Sequence, residues 1–270
     1  MRPLLAAILP MLMAAGAYAA DAGKCLNFYS IEKEMAWGKR LAGEVERESK
    51  IDGDAILSEY VNRVGQNLAR QSDAKVPFTF RVIDGSEMNA FALPGGYVFV
   101  YTGLIELASD EDEFAAALAH EIAHVAARHM TCRASEEQVA RAASIIPGIF
   151  LGGLGGVAAR NAAGAAVPMT FLSFSRHDES EADFLGVQYM YAAGYDPTGA
   201  VSILEKLEAL RKTNPGAVAK VFATHPSGSN RIEKTEQEIQ RMLPKPDYVV
   251  TTSEYREVRE RLIARKPESR

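Results

Sequence analysis

The sequence has few cysteines, no excess of basic residues and no internal repeat. Its 270 residues include two cysteines, and 35 acidic side chains outnumber 30 basic ones, which gives a net charge of −5 at pH 7. Two cysteines allow at most one intramolecular disulfide. Binding to nucleic acid usually needs a basic face, so an acidic chain is a poor candidate for it. Without a repeat, the chain is not a solenoid.

Long hydrophobic runs are also scarce. The N-terminal run of about 17 residues contains Pro10 and ends in small residues at 17–20, not at a charged stop. With Arg2 ahead of the run, this is the layout of a secretory signal peptide. We predict that residues 1–20 are that signal peptide and that the chain is exported. A transmembrane anchor is the competing interpretation.

A second uncharged run lies between Arg141 and Arg160 and contains Pro147 and several glycines. These glycines and the proline disfavour a stable spanning helix. We predict a Gly/Ala-rich lid or loop at about 142–168. Peripheral contact with a membrane is the alternative.

The two cysteines, Cys25 and Cys132, would meet an oxidising compartment after export. We predict a candidate disulfide between them. Two buried or free thiols remain the alternative, because sequence alone does not show whether the Cα atoms come within bridging range.

The remaining pattern predicts an α+β domain that is mostly helical. Residues 27–72 read as two helices broken at 52–54, and alternation at 78–82 and 97–101 predicts strands. We predict one domain over 21–270, with a core at about 30–245 and a small β-sheet packed on the helix that follows the strands.

That helix contains two histidines with a metal-ligand spacing. His120 and His124 are one turn apart, so both imidazoles can reach one ion, and Glu121 can lean over it without binding. His-Glu-x-x-His is the pattern of zinc hydrolases, in which the carboxylate takes a proton from water. Chance is the alternative, but unpartnered histidines on a buried alanine-rich face would cost several kcal/mol.

A catalytic zinc needs a third protein ligand. Glu179 and Asp183 are again four residues apart on a predicted helix. Glu179 would bind the metal, and Asp183 could accept a hydrogen bond from a ligand histidine and fix its tautomer. Glu181 is a weaker rival, and an ordinary acidic helix start is the alternative to both roles.

These motifs together resemble the gluzincin peptidases of family M-48, closest to the soluble periplasmic BepA-like branch. The resemblance extends over about residues 30–245 and includes Asn89-Ala90-Phe91 and Thr224-His225-Pro226. It implies a zincin-like metallopeptidase fold, one Zn²⁺ bound by His120, His124 and Glu179, and Glu121 as general base. It also implies a periplasmic enzyme of a Gram-negative-type bacterium.

The same resemblance places His225 near the metal, where it could stabilise an oxyanion or occupy the open site. A turn histidine that caps the next helix is the alternative. Arg231 is predicted as an anion partner or a structural tether. His129 lies about 140° from His124 on a continuous helical wheel and is not predicted to join the site. His177 is predicted to be exposed.

The strand formed by Tyr97, Val98, Phe99, Val100 and Tyr101 is a candidate edge strand for an extended substrate. An interior strand without a free edge is the alternative.

We therefore predict an exported zinc endopeptidase whose substrates are extended or unfolded polypeptides, such as misassembled periplasmic or outer-membrane proteins. A chaperone-like binding protein with a closed or structural zinc site is the second hypothesis. Cleavage preference and oligomeric state are left open.

Overall fold

The structure is a computed structural model that describes residues 25–150, 173–227, 230–245 and 247–265. For residues 141–150 it describes only the backbone. The predicted signal peptide, 1–20, and residues 151–168 of the predicted lid lie outside these ranges. Among the described helices, none is long and apolar enough to cross a membrane.

The described part of the chain is mostly helical and has one small sheet, which confirms the predicted α+β class. The helices are α1 Ile31–Glu48, α2 Ala55–Ala69, α3 Thr102–Leu107, α4 Glu111–Ala126, α5 His129–Phe150, α6 Arg176–Ala193, α7 Thr198–Thr213, α8 Ala219–Thr224, α9 Arg231–Gln240 and α10 Ser253–Ala264; the strands are β1 Thr79–Ile83, β2 Ala90–Leu93 and β3 Tyr97–Tyr101.

The chain divides into two compact units, whereas the sequence predicts one domain. One unit is Met1–Tyr29 with Thr131–Ala166, and the other is Ser30–Met130 with Val167–Arg270. In the first unit, Cys25 and Cys132 form a disulfide with Cα atoms 5.6 Å apart. All the predicted metal-binding and catalytic residues lie in the second unit.

Helix α1 ends before, and helix α2 begins after, the break that the sequence predicts at 52–54. The Asp54 side chain accepts hydrogen bonds from the backbone N–H groups of Ile56 and Leu57 and so caps the start of α2. Helix α5 extends from His129 to Phe150. The start of the predicted 142–168 loop is therefore helical.

Strand β3 is the central strand of the sheet, whose order is β1-β3-β2. It pairs in parallel with β1 and antiparallel with β2. The prediction that Tyr97–Tyr101 is an edge strand is therefore wrong, since neighbours on both sides use its backbone groups. In the described part of the sheet, β1 and β2 are the edge strands, and the far side of β2 pairs with no other strand.

Each face of the sheet is covered by helices. Val98 and Val100 of β3 point into the core formed with α2 and α4, while Phe99 packs on the other face with Phe91 and Ala42 of α1. Both faces are buried, which explains why β2 and β3 read as nearly continuous apolar runs. This packing fixes β2 beside α4.

Helix α1 contacts the turn before β3 so closely that one position admits only glycine. A Cβ at Gly38 would overlap the backbone carbonyl of Pro94, whereas a Cβ at Gly43 in the same helix would lie 3.6 Å from the nearest heavy atom, the Arg47 guanidinium. We expect Gly38→Ala to cost about 2 kcal/mol because backbone must move to admit the methyl group.

Thermal unfolding checks this expectation, with a predicted fall in Tm of at least about 5 °C for Gly38→Ala. Gly43→Ala is the matched control and should raise Tm slightly, since alanine has the better helix propensity. Equal Tm values for the two variants would contradict the close contact.

Candidate metal centre

Helix α4 carries the two spaced histidines on one face. His120 and His124 lie one turn apart, and their Nε2 atoms approach to 3.0 Å. Small residues allow α6 to pack closely on this helix: a Cβ at Gly186 would lie only 3.2 Å from the His120 backbone nitrogen. The backbone of α4 at His120 is therefore held close to α6.

Helix α6 brings the predicted carboxylate to the same point. Its start is fixed by a capping box in which Ser175 and Asp178 each accept a hydrogen bond from the other's backbone N–H. Glu179 follows in the first turn and is fully buried. Its Oε1 lies 3.4 Å from His124 Nε2, and its Oε2 lies 3.6 Å from His120 Nε2.

His225 reaches the cluster from a third part of the chain. It ends α8, and its backbone N–H donates to the Val221 carbonyl at 2.7 Å. Its Nδ1 lies 3.3 Å from His120 Nε2 and 3.0 Å from Glu179 Oε1. One donor atom from each of His120, His124, Glu179 and His225 falls within 4.8 Å of the others.

These separations fit a tetrahedral metal site. Zinc bonds of about 2.0–2.1 Å place neighbouring ligands about 3.3 Å apart, and four donor contacts in this cluster lie between 3.0 and 3.4 Å. Without an ion, the four donor atoms must satisfy one another through shared protons, whereas a cation accepts a lone pair from each. The cluster can therefore hold a divalent cation, and its donor set suits zinc.

Electrostatics points to the same conclusion. Burial opposes protonation of His120, but Asp183 and Glu179 outweigh it and raise the His120 pKa to about 10. Burial lowers the pKa of His124 well below its usual range. Burial would raise the Glu179 pKa, yet His225 and the two other histidines outweigh it and lower that pKa. The shifts of His120 and Glu179 favour positive charge at the centre, which a bound cation would supply.

Glu121 lies next to the cluster but outside it. It is buried, its Oε1 lies 3.4 Å from His225 Nε2, and its Oε2 has no hydrogen-bond partner. Burial raises its pKa, while a hydrogen bond from the backbone N–H of Ala92 on β2 opposes that rise. A carboxylate with a free oxygen and a raised pKa is suited to accept and return a proton.

Asp183 and Arg231 form a buried support behind the donors. Asp183 Oδ1 lies 3.0 Å from His120 Nδ1, so it can hold the tautomer whose Nε2 lone pair faces the cluster. Arg231 makes two 2.7 Å hydrogen bonds to Asp183 and lies 2.8 Å from Glu179 Oε2. Burial would raise the Asp183 pKa, but Arg231 and His120 hold it at about 2. Arg231 therefore links the carboxylates of Asp183 and Glu179.

A small apolar cavity of about 110 Å³ opens beside Glu121. Helices α4, α7 and α8 line it with small and aliphatic side chains together with one aromatic ring, those of Ala117, Ile203, Leu204, Leu207, Val221 and Phe222. This apolar cavity next to the site is large enough to receive part of a ligand.

Two contacts at this site were not predicted from the sequence. Ala92 offers a backbone N–H to Glu121, and the pattern that signals it is the hairpin of β2 and β3 around Gly95 and Gly96. His129 Nδ1 lies 2.8 Å from His124 Nδ1, although a continuous helix would direct it elsewhere. His177 is exposed, as predicted.

Comparison with known proteins agrees with the site. The family model described as "Peptidase family M48" matches residues 55–239, which include every residue of the cluster.

Three relatives show how far the similarity extends. The beta-barrel assembly-enhancing protease of Escherichia coli K12 is 31% identical over 83% of this chain and 47% of its own length. The putative beta-barrel assembly-enhancing protease of Vibrio cholerae is 32% identical over 87% and 50%. The mitochondrial metalloendopeptidase OMA1 of Schizosaccharomyces pombe is 35% identical over 74% and 60%. The chain thus spans about half the length of the curated relatives it matches first. The match to the family model confirms the resemblance, and the chain belongs to peptidase family M48.

Proposed function

We propose that the chain is an exported, periplasmic endopeptidase that binds one zinc ion and hydrolyses peptide bonds in unfolded or misassembled periplasmic and outer-membrane proteins. The observation that carries this proposal is the convergence of four donor atoms within 4.8 Å, beside a buried glutamate that has an unpartnered oxygen. The carboxylate is close enough to act on a water at the cluster and is not itself among the donors.

His120, His124 and Glu179 would hold the zinc. When bound, zinc polarises a peptide carbonyl and lowers the pKa of water toward about 7. Glu121 is placed to take a proton from the attacking water and return it to the leaving amine. His225 Nε2 has no hydrogen-bond partner, so it can donate to the developing negative charge on the carbonyl oxygen.

The free edge of β2 is the surface on which a substrate could align. The Ala92 N–H reaches Glu121 from this strand, so the edge runs past the carboxylate. An extended peptide that adds as a further strand would place its backbone next to the cluster without requiring a particular sequence. Folded proteins rarely offer a free strand, which favours unfolded or misassembled substrates.

The cavity beside Glu121 adds a preference for one side chain of that substrate. Its lining is mostly aliphatic, and burial of an aliphatic side chain contributes about 1.5–3 kcal/mol. We infer that an aliphatic residue next to the cleaved bond enters this cavity.

The cellular role rests on the relatives and the N-terminus. Two of the relatives are named as beta-barrel assembly-enhancing proteases, and that name supports a role in the quality control of outer-membrane proteins. The predicted signal peptide at 1–20 supports export.

A second function is favoured by the position of His225. With His225 Nδ1 among the donors, the cluster has four protein ligands, as in structural zinc sites, and no position is open for water. In that state the chain would be a chaperone-like binding protein. Under the first function, His225 must leave the donor set during turnover, and the segment at 215–224 that carries it must move.

Substitution of the base separates the two functions. We expect Glu121→Gln to lower the rate of casein degradation by at least about 100-fold, because the amide cannot accept the proton, while zinc content is unchanged. Glu59→Gln, at an exposed position of α2, is the control and should keep full activity. Equal degradation by parent and Glu121→Gln, with equal binding of unfolded casein, would support the binding protein instead.

Metal analysis tests the donor set. We expect about one zinc per chain in the purified parent and loss of that zinc on dialysis in Glu179→Ala, because the carboxylate ligand is removed. His177→Ala lies in the same turn of α6 but is exposed, so it should retain zinc. A parent without zinc, or a Glu179→Ala variant that keeps it, would refute the site.

A larger side chain in the cavity should change cleavage preference. We expect Leu204→Trp to reduce cleavage next to large aliphatic residues by about 10-fold relative to cleavage next to alanine or glycine, as read by mass spectrometry of casein fragments. Leu243→Trp is the matched control, since Leu243 is 78% exposed. Unchanged cleavage sites in Leu204→Trp would place the preference elsewhere.

A further inference from the structure

The α4 helix ends abruptly just after the second histidine. Arg128 adopts a left-handed backbone conformation with φ of 60°, which is unusual for a residue with a side chain. Its guanidinium Nε donates to Glu34 Oε2 at 2.7 Å, and this Glu34 side chain on α1 is only 2% exposed. The left-handed conformation costs about 1 kcal/mol, and this ion pair with a buried partner offsets that cost.

The break changes the direction of His129. On a continuous helix its side chain would point about 140° away from His124. After the turn at Arg128 the ring comes back, and its Nδ1 lies 2.8 Å from His124 Nδ1. His129 is buried, and its Nε2 lies 3.3 Å from Glu181 Oε2 and 4.0 Å from Asp178 Oδ1.

The positions of these nitrogens determine which of them carry protons. His124 Nε2 belongs to the donor cluster, so a metal would use its lone pair and the proton must be on Nδ1. His129 Nδ1 is then the acceptor, and its own proton lies on Nε2, directed at Glu181. The ring of Phe174 stacks on that of His124 at 3.8 Å and limits its rotation.

We propose that His129 is a positioning residue of the metal centre: it accepts the Nδ1 proton of His124, passes the hydrogen bond to Glu181, and so fixes the tautomer and the orientation of this ligand. The proposal rests on the metal site of the proposed function. His120 has the same support directly from Asp183, so both histidine ligands are backed by carboxylates from α6.

The use of an imidazole between His124 and a carboxylate has a physical reason. The cluster and its immediate surroundings already contain three largely buried carboxylates, those of Glu121, Glu179 and Asp183, with Arg231 as the nearby compensating cation. A further carboxylate directly behind His124 would add another buried negative charge. His129 supplies the acceptor as a neutral group, while the charge of Glu181 remains partly in solvent, with 42% of the side chain exposed.

Two substitutions of His129 separate positioning from packing. His129→Leu fills similar space without an acceptor, whereas His129→Asn can place an amide oxygen close to the position of Nδ1. We expect zinc affinity, measured by competition with a chelator, to fall about 10- to 100-fold in His129→Leu and to stay within a few-fold of the parent in His129→Asn. The visible spectrum of the Co²⁺-loaded protein should shift in His129→Leu only.

Thermal unfolding of the metal-free proteins is the control for packing. We expect similar Tm values for the two variants without metal, so that the difference in affinity arises at the ligand. The proposal is overturned when His129→Leu binds zinc as the parent does, when His129→Asn is no better than His129→Leu, or when the affinity loss follows the loss of metal-free stability.

The same measurements distinguish this proposal from the proposed function. A parent that binds zinc but degrades no casein would refute the peptidase, while the affinities of the His129 variants would still decide the role of His129. A parent that binds no zinc would overturn both.

Discussion

The structure depends on the cost of burying unpaired lone pairs. Three imidazole nitrogens and a carboxylate oxygen approach within 4.8 Å in the interior, where water cannot satisfy them. The two histidines differ in their affinity for protons: the environment raises the pKa of His120 to about 10 and lowers that of His124, one turn away. A divalent cation satisfies all four donors at once. The rest of the site keeps these donors in place.

Two helices hold these donors in place, and each supplies a different kind of side chain. Under the proposed function, α4 supplies two of the nitrogen ligands and the general base, while the first two turns of α6 supply the carboxylate ligand and the supporting carboxylates. Glu179 faces the centre, Asp183 supports His120 and Glu181 supports His129. All three lie within five residues of one helix, so the capping box at Ser175 helps to position all three carboxylates. A change at Ser175 would therefore displace the carboxylate of the cluster together with the two supporting carboxylates.

Local patterns in the sequence predicted the helices α1, α2, α4 and α6 and placed His120 and His124 on one face, because residues one turn apart on a helix share a face. What they could not predict depends on tertiary structure. The place of β3 inside the sheet follows from its pairing with β1, which no periodicity encodes. The position of His129 follows from the left-handed Arg128, which is stabilised by Glu34 from a distant helix. A helical wheel fails at the residue where the helix ends.

The cluster also connects metal binding to folding. Glu179 is fully buried and His225 comes from a segment 46 residues further along the chain, so the donors are together only in the folded state. Zinc that binds this state and not the unfolded chain stabilises the fold by its binding free energy. Under the proposed function, His225 would have to leave the donor set before water could enter, and the folded state would then lose part of this stabilisation.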